Sequence, residues 1–220
     1  MARLSSLRLA MAKLYFRYGT MDSAKTLNLL AVAHNYRKQG KRVLLLKPRL
    51  DVRFGAETIR SRSGLEAPAD LLVEPDQPLD VEQLRNLNCI LVDEAQFLSV
   101  AVIEQLRELT TELGVPVICY GLRTDFRTKL FPGSKRLLEL ADSIEEVKVT
   151  CQFCDRKAVF NLRMADGLAV IEGPQIQLGA DERYVPACWR HYRGEMEKAR
   201  RAAQISEAQA QAGDPQTASL

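Results

Sequence analysis

Two short pairs of metal-binding residues restrict how this chain can fold. Cys151 and Cys154 form the first pair, and Cys188 and His191 form the second, each with two residues between its members. Three thiolates and one imidazole are a complete tetrahedral ligand set for Zn²⁺ and leave no position open for water. The sequence therefore predicts a structural zinc site that brings the two pairs together. A redox Cys-x-x-Cys motif is the alternative for the first pair, but it leaves the second pair unexplained.

The first 149 residues alternate between β-like and α-like segments. Continuous apolar strands such as residues 43–46 and 89–92 indicate a sheet that is covered on both faces. Helical periods follow at residues 25–40, 102–113 and 132–140, and residues 61–80 are predicted to form a loop followed by a short helix. This alternation predicts an α/β fold with a parallel sheet flanked by helices. After Thr150, short β-like pieces between the two zinc pairs indicate a small appended domain.

The composition limits the class of protein. A chain of 220 residues with 46% hydrophobic and 27% charged residues is typical of a globular α/β domain, and it excludes collagen-like and wholly disordered chains. The net charge of +3 is too small to indicate a nucleic-acid-binding surface. Neither a membrane-spanning run nor a secretory signal is recognisable. We therefore expect a cytoplasmic protein with no membrane or nucleic-acid partner, whose five cysteines favour a metal over disulfides.

The segment from residue 19 to residue 26 lies between a predicted strand and a predicted helix. It consists of Gly19, Thr20, Met21, Asp22, Ser23, Ala24, Lys25 and Thr26. In this context a G-x-x-x-x-G-K-[ST] loop binds phosphates through its backbone N–H groups and its lysine, and its hydroxyl binds Mg²⁺. Ala24 replaces the second glycine, which is tolerable if residue 24 has helical dihedral angles and harmful if it needs a positive φ. An ordinary strand-to-helix turn is the alternative for this segment taken alone.

Two carboxylates, Asp93 and Glu94, follow the apolar strand at residues 89–92. An acid at this position holds Mg²⁺ in P-loop enzymes, and a second acid beside it is free to accept a proton. A solvated Asp-Glu pair at a strand end is the alternative for this pair in isolation. Together with the upstream loop, the pair favours a nucleotide site at the carboxyl edge of a P-loop (RecA-like) sheet.

Taken together, these motifs resemble those of the zinc-containing, type II thymidine kinases, from about Leu14 to Tyr192. The resemblance also rests on the segments at residues 51–54, 93–97 and 179–184. It implies ATP-dependent phosphorylation of the 5′-hydroxyl of thymidine, and of deoxyuridine, in pyrimidine deoxynucleotide salvage. It further implies a homotetramer and feedback inhibition by dTTP. The commonest family pattern has glycine and cysteine where this chain has Ala24 and His191.

The resemblance assigns a role to each matching position. Glu94 is expected to be the general base. Besides the phosphate loop, the positions expected to bind ATP and Mg²⁺ are Asp51, Val52, Arg53, Asp93 and Gln96. The positions expected to bind the nucleoside are Phe126, Tyr184 and the loop that we call the lasso, formed by Gln175, Ile176, Gln177, Leu178 and Gly179.

These assignments predict four regions along the chain. Residues 1–10 form an N-terminal extension, residues 11–149 the P-loop ATP-binding domain, residues 150–194 the zinc and lasso domain, and residues 195–220 a tail that changes from helix to disorder. Two alternatives stay open at this point. One is a RecA-like P-loop ATPase with a zinc ribbon that acts on DNA, and the other is a non-enzymatic zinc-binding interaction module.

Overall fold

The computed structural model describes residues 12–51, 55, 57–75, 77–175 and 183–212. Within them, strands β1 to β11 are Leu14–Tyr18, Val43–Pro48, Thr58–Arg60, Glu66–Pro68, Leu71–Val73, Cys89–Val92, Val117–Gly121, Ser143–Glu146, Phe160–Ala165, Leu168–Ala169 and Arg183–Ala187. Helices α1 to α4 are Lys25–Lys38, Val100–Glu112, Pro132–Leu140 and Trp189–Ala212. Two short 3₁₀ helices are Val81–Leu84 and Ala95–Phe97.

Six strands form one parallel sheet in the order β5-β2-β6-β7-β1-β8. The predicted α/β fold with a parallel sheet is thereby confirmed. Because all six strands run in one direction, the loops that follow β1, β2, β6 and β7 lie along the same edge of the sheet. This is the edge at which open α/β sheets bind ligands.

The central strands are apolar throughout because both of their faces are covered. In β6, Ile90 and Val92 pack into the cluster that holds the apolar face of α2, while Cys89 and Leu91 pack into the cluster that holds Leu29 and the rest of the buried face of α1. Burial raises the pKa of the Cys89 thiol to about 12, so this cysteine is a core residue rather than a reactive one. The two buried faces hold the edge of the sheet rigid beneath the loops.

The last part of the chain forms a separate cluster around an antiparallel sheet. The order β10-β9-β11 defines what we call the C-terminal sheet, and α4 packs on it through Tyr192, Met196 and Ala199. The buried Cys151 and Cys188 belong to the same cluster. The two zinc pairs therefore lie where this small core is built.

Two details of the sequence-based prediction were wrong. Residues 61–80 contain β4 and β5, and β5 extends the main sheet by pairing with β2; the 3₁₀ helix Val81–Leu84 follows as predicted. The strand predicted to end at residue 149 ends at Glu146. Helix α4 spans Trp189–Ala212 and so includes the described part of the tail predicted from residue 195. Residues 1–10 and 213–220 lie outside the described residues, and no described helix is long and apolar enough to cross a membrane.

Candidate active site

The candidate phosphate loop leaves the carboxyl end of β1 and enters α1. Gly19 donates its N–H to the carbonyl oxygen of Gly121 at 3.2 Å. A Cβ atom at Gly19 would lie 2.5 Å from the carbonyl oxygen of Val147, so glycine is required here. The Lys25 ammonium donates to the carbonyl oxygen of Thr20 at 2.7 Å, and the hydroxyl of Ser23 donates to the same oxygen at 2.8 Å. These internal bonds fold the loop back over the start of α1.

Ala24 has left-handed backbone angles, with φ 60° and ψ 26°. A side chain in this region is sterically disfavoured, and a glycine would be unstrained. The structure thus decides the question left open by the sequence: residue 24 needs a positive φ, and alanine is the strained choice. Asp22 also has a positive φ, of 63°. The phosphate loop therefore contains two non-glycine residues with strained, left-handed backbone angles.

Thr26 and Asp93 meet where α1 begins and β6 ends. The Thr26 hydroxyl lies 3.2 Å from each of the two carboxylate oxygens of Asp93. A hydroxyl and a carboxylate on one side of a phosphate-binding loop are oxygen ligands of the type that Mg²⁺ takes in nucleotide sites. The residues present fit this ion.

Glu94 follows at the turn after β6. Its backbone is left-handed, with φ 48° and ψ 40°, and its side chain is 9% exposed. The Gln96 amide donates to the Glu94 carboxylate at 2.5 Å and accepts from the N–H of Leu122 at 2.9 Å. Gln96 therefore holds the Glu94 carboxylate in place through a hydrogen bond. Gln96 itself does not line the cavity described next.

One cavity of about 370 Å³ joins these elements. The sequence-predicted residues that line it are Met21, Asp22, Ser23, Ala24, Lys25, Thr26, Asp51, Asp93 and Glu94. Asp51 reaches it from the end of β2, where the buried Lys47 ammonium lies 3.3 Å from its carboxylate. Val52 and Arg53 lie outside the described residues.

The β3–β4 hairpin supplies lining residues that the sequence reasoning missed. They are Arg60, Ser61, Arg62 and Ser63, and Arg62 forms an ion pair with Asp22 of the phosphate loop. No motif marked them, because three of the four lie in the segment that was predicted to be a loop and Arg60 directly precedes it. They add two guanidinium groups to a cavity that the carboxylates of Asp93 and Glu94 also line.

The residues expected to bind the nucleoside lie around the loop after β7. Phe126 is 1% exposed, and the guanidinium groups of Arg163 and Arg127 lie 4.8 and 5.5 Å from its ring centroid. The Gln175 amide donates to the Asp125 carboxylate at 3.2 Å, which places the start of the lasso beside Phe126. Tyr184 lies on β11, opposite Arg163 of β9. The other lasso positions, Ile176, Gln177, Leu178 and Gly179, lie outside the described residues.

The four predicted zinc ligands converge. The Sγ atoms of Cys151, Cys154 and Cys188 and a ring nitrogen of His191 all lie within 4.8 Å of one another. The Cys154 and Cys188 sulfurs are 3.9 Å apart, and His191 Nδ1 is 3.5 and 3.3 Å from the sulfurs of Cys151 and Cys188. A tetrahedral site has S···S edges of about 3.8 Å and S···N edges of about 3.5 Å. The geometry fits zinc.

The surroundings of Cys188 favour the form of its side chain that binds a metal. The backbone N–H of His191 lowers the pKa of the Cys188 thiol to about 6 by bonding to its sulfur. The thiolate is the form that binds a metal. The Phe153 ring lies against the His191 ring, with centroids 5.3 Å apart, and covers this ligand from one side.

A family model described as thymidine kinase matches residues 12–192. The chain belongs to the thymidine kinase family. A protein named thymidine kinase from Lactococcus lactis is 47% identical over 184 residues, covering 83% of this chain and 97% of that protein. Proteins of the same name from Streptococcus gordonii and Lactiplantibacillus plantarum are 47% and 46% identical over 186 and 184 residues, each covering 83% of this chain and 96% of theirs.

The match to the family covers the features on which the resemblance was based. It includes the phosphate loop, the end of β6 and all four zinc ligands, so the predicted family is confirmed. Among solved structures, the Pif1 helicase of Candida albicans aligns with a TM-score of 0.35 and 12% identity over 63% of this chain and 36% of that one. This is too weak a likeness to indicate a shared fold.

Proposed function

We propose that this protein transfers a phosphoryl group from ATP to the 5′-hydroxyl of thymidine in deoxynucleotide salvage. The observation that carries this function is the placement of Asp93 and Glu94 in one cavity with the phosphate loop. The membership of the thymidine kinase family supports thymidine as the acceptor. Phosphoryl transfer mainly requires that the reactants be positioned and that charge be stabilised, and the cavity supplies both.

The phosphate loop binds the triphosphate of ATP. The N-terminus of α1 lies at the cavity, where Lys25 and Thr26 of its first turn are lining residues, and it carries partial positive charge. The Lys25 ammonium, now bonded to the Thr20 carbonyl and Ser23, is within the same loop and exchanges these partners for phosphate oxygens. Thr26 and Asp93 hold Mg²⁺, which neutralises charge on the phosphates when bound.

Glu94 accepts the proton of the attacking hydroxyl. A sugar hydroxyl is a poor nucleophile at neutral pH, so a well-placed base contributes a factor of about 10² to 10⁴ to the rate. The bond from Gln96 fixes the carboxylate, and the left-handed backbone of Glu94 turns it into the cavity. Strain of this kind is typical of residues whose direction matters for chemistry.

The thymine base lies between the loop after β7 and the lasso. The bond from Gln175 to Asp125 supports this arrangement, because it joins the first lasso residue to the loop that carries Phe126. Arg163 also supports this arrangement. Its guanidinium lies 4.8 Å from the centroid of the Phe126 ring and donates to the carbonyl oxygen of Pro174 at 3.1 Å. A base that contacts the Phe126 ring shares that ring with a guanidinium group.

Zinc acts structurally in this proposal. Cys151 and Cys154 precede β9, and Cys188 and His191 follow β11, so one ion clamps both ends of the segment that contains the lasso. Four protein ligands complete its coordination. The ion therefore supports the nucleoside side of the site and takes no part in the transfer.

Several finer points stay predictions. The roles of Val52 and Arg53, the homotetramer, the use of deoxyuridine and feedback inhibition by dTTP are implied by the family resemblance. The division into four regions and the cytoplasmic location are predictions from the sequence. The RecA-like ATPase that acts on DNA is not favoured, because the matched family is that of the thymidine kinases.

The proposed function is tested by incubating the protein with labelled ATP and Mg²⁺ and, in separate reactions, thymidine, deoxyuridine, the two purine deoxynucleosides or single-stranded DNA. We expect label in thymidine monophosphate, with deoxyuridine as a second acceptor. ATP hydrolysis that rises with single-stranded DNA and no labelled nucleotide would instead identify the DNA-dependent ATPase.

A further inference from the structure

A side chain of the C-terminal sheet is bonded directly to the phosphate loop. The side-chain oxygen of Asn161, on β9, accepts the backbone N–H of Met21 at 2.8 Å. The two residues are 140 positions apart in the chain, and Asn161 is 3% exposed. A neutral amide is costly to bury without a partner, so this bond accounts for a polar residue at this place.

The bond lies at the part of the loop that needs support. Met21 precedes Asp22 and Ala24, whose backbones are both left-handed. The side-chain bonds within the loop, from Lys25 and Ser23, end on the carbonyl oxygen of Thr20 and the hydroxyl of Ser23, and the N–H of Met21 bonds to an acceptor outside the loop. A strained segment keeps its shape only where the surrounding structure fixes it.

The position on β9 explains why Asn161 reaches the loop. Its neighbour Leu162 packs into the core of the C-terminal sheet. Because successive strand residues point to opposite faces, Asn161 faces away from that core and toward the main sheet. Its cross-strand neighbour is Pro186, which has no N–H to compete for the amide oxygen.

We propose that Asn161 is a positioning residue for ATP, which holds the phosphate loop in its binding shape from the zinc-supported C-terminal sheet. The proposal rests on the proposed function for its kinetic part, but the bond itself is independent of the acceptor. It follows that the C-terminal sheet serves both substrates: the nucleoside through the lasso and ATP through Asn161. Asn161 touches neither substrate in this role.

The test compares three variants of the full-length, zinc-loaded protein. Asn161→Leu removes the acceptor and keeps the number and branching of the side-chain heavy atoms. Asn161→Asp retains an acceptor, and Leu162→Val is the matched control that loosens the same strand without touching the loop. Hydrogen exchange of the peptide that covers residues 19–26 is measured without nucleotide or nucleoside. We expect faster exchange in Asn161→Leu alone.

The kinetic measurement compares the change in the KM for ATP with the change in the KM for thymidine. Loss of a hydrogen bond worth about 1 kcal/mol predicts that Asn161→Leu raises the KM for ATP roughly fivefold, while the KM for thymidine changes less than twofold and the zinc content is retained. Leu162→Val is expected to lower the melting temperature without a selective rise in the KM for ATP.

Unchanged loop exchange in Asn161→Leu would overturn the proposal, as would equal rises in both Michaelis constants. If Asn161→Leu loses its zinc, Asn161→Ala is scored by the same measurements. Absence of thymidine phosphorylation by the wild-type protein would overturn the proposed function, and the exchange experiment would still decide whether Asn161 holds the loop.

Discussion

The hydroxyl of Thr26 lies 3.2 Å from both carboxylate oxygens of Asp93, although 67 positions separate the two residues. The pair joins the first turn of α1 to the end of β6. Each residue alone is common at a helix start or a strand end, and their contact is what indicates a Mg²⁺ site. The parallel sheet creates the contact, because β1 and β6 both end at the same edge.

Thr26→Val tests this pair, because valine keeps the branched shape and removes the hydroxyl. Loss of one oxygen ligand worth about 1.4 kcal/mol raises the Mg²⁺ concentration for half-maximal rate about tenfold. Titration of activity with Mg²⁺ at saturating ATP measures the change. Thr26→Ser keeps the hydroxyl and serves as the control. Equal Mg²⁺ dependence in the valine and serine variants would show that Thr26 is not a ligand.

Glu94→Gln keeps the shape of the side chain and removes its proton acceptor. We expect kcat to fall by a factor of about 10² to 10⁴, while the affinity for ATP stays within about twofold. Rapid-quench turnover and equilibrium ATP binding separate the two quantities. The same substitution at Glu108, which is exposed on α2, is the control. A Glu94→Gln protein with near-wild-type kcat would remove Glu94 from the role of base.

Much of this arrangement was predictable because it depends on local periods and on spacing. The apolar runs at residues 43–46 and 89–92 identify central strands, since only a strand covered on both faces is apolar throughout. The spacing of Cys151, Cys154, Cys188 and His191 identifies a ligand set before any contact is known. These features do not depend on where distant segments lie.

Other features depend on the tertiary arrangement and have no local signal. Strand β5 is three residues long and is held by pairing with β2, so residues 71–73 look like part of a loop. Asn161 is one polar residue in a short strand, and its partner is 140 positions away. The sign of φ at Ala24 is likewise fixed by the loop as a whole, and the sequence left it open.

Ala24→Gly is expected to relieve strain in the phosphate loop. A left-handed backbone costs a non-glycine residue about 1 to 2 kcal/mol, which exceeds the roughly 0.4 to 1 kcal/mol that glycine loses through the greater entropy of the unfolded chain. The free energy of unfolding, measured by denaturation in urea, should therefore rise by up to about 1.5 kcal/mol. A loss of stability in Ala24→Gly would contradict the left-handed backbone.

Ala24→Val is the matched opposite of this change. A β-branched residue is strongly disfavoured at positive φ, so we expect a loss of more than about 1 kcal/mol in stability and weaker ATP binding. The two variants should thus lie on opposite sides of the wild type. Equal, small effects of both substitutions would show that residue 24 is not under strain.

Asp142 gives the stability a dependence on pH. Partial burial opposes ionisation, but the N–H of Leu14, which donates at 2.8 Å, and the ion pair with Arg107 outweigh it and lower the pKa of Asp142 below its usual value. A depressed pKa in the folded state stabilises the protein above the pKa of the unfolded chain, and this stabilisation is lost as the pH falls through the folded-state pKa.

Asp142→Asn should therefore lower the free energy of unfolding by about 1 kcal/mol at pH 7, and the difference from the wild type should shrink below about pH 4. Urea denaturation at a series of pH values measures this difference. Glu112→Gln, at an exposed position on α2, is the control. A difference that grows as the pH falls would have the wrong sign for a depressed pKa.

Removal of zinc should weaken the binding of both substrates, and of thymidine most. The four ligands flank β9 to β11, and the hydroxyl of Tyr192, next to His191, donates to the carbonyl oxygen of Phe126 at 2.7 Å. Loss of the metal therefore frees both ends of the lasso segment and the loop beside Phe126. ATP depends on the same sheet through one bond, from Met21 to Asn161.

Cys154→Ser measures this effect, because it removes one thiolate ligand and binding of a structural metal is coupled to folding of its site. We expect less zinc by metal analysis, a KM for thymidine raised by at least about tenfold, and a KM for ATP raised by less, near the roughly fivefold that loss of one hydrogen bond predicts. Chelation of the wild-type protein followed by addition of zinc provides the control, since it should reproduce and then reverse both changes. Zinc-free protein with wild-type Michaelis constants for both substrates would show that the metal supports neither half of the site.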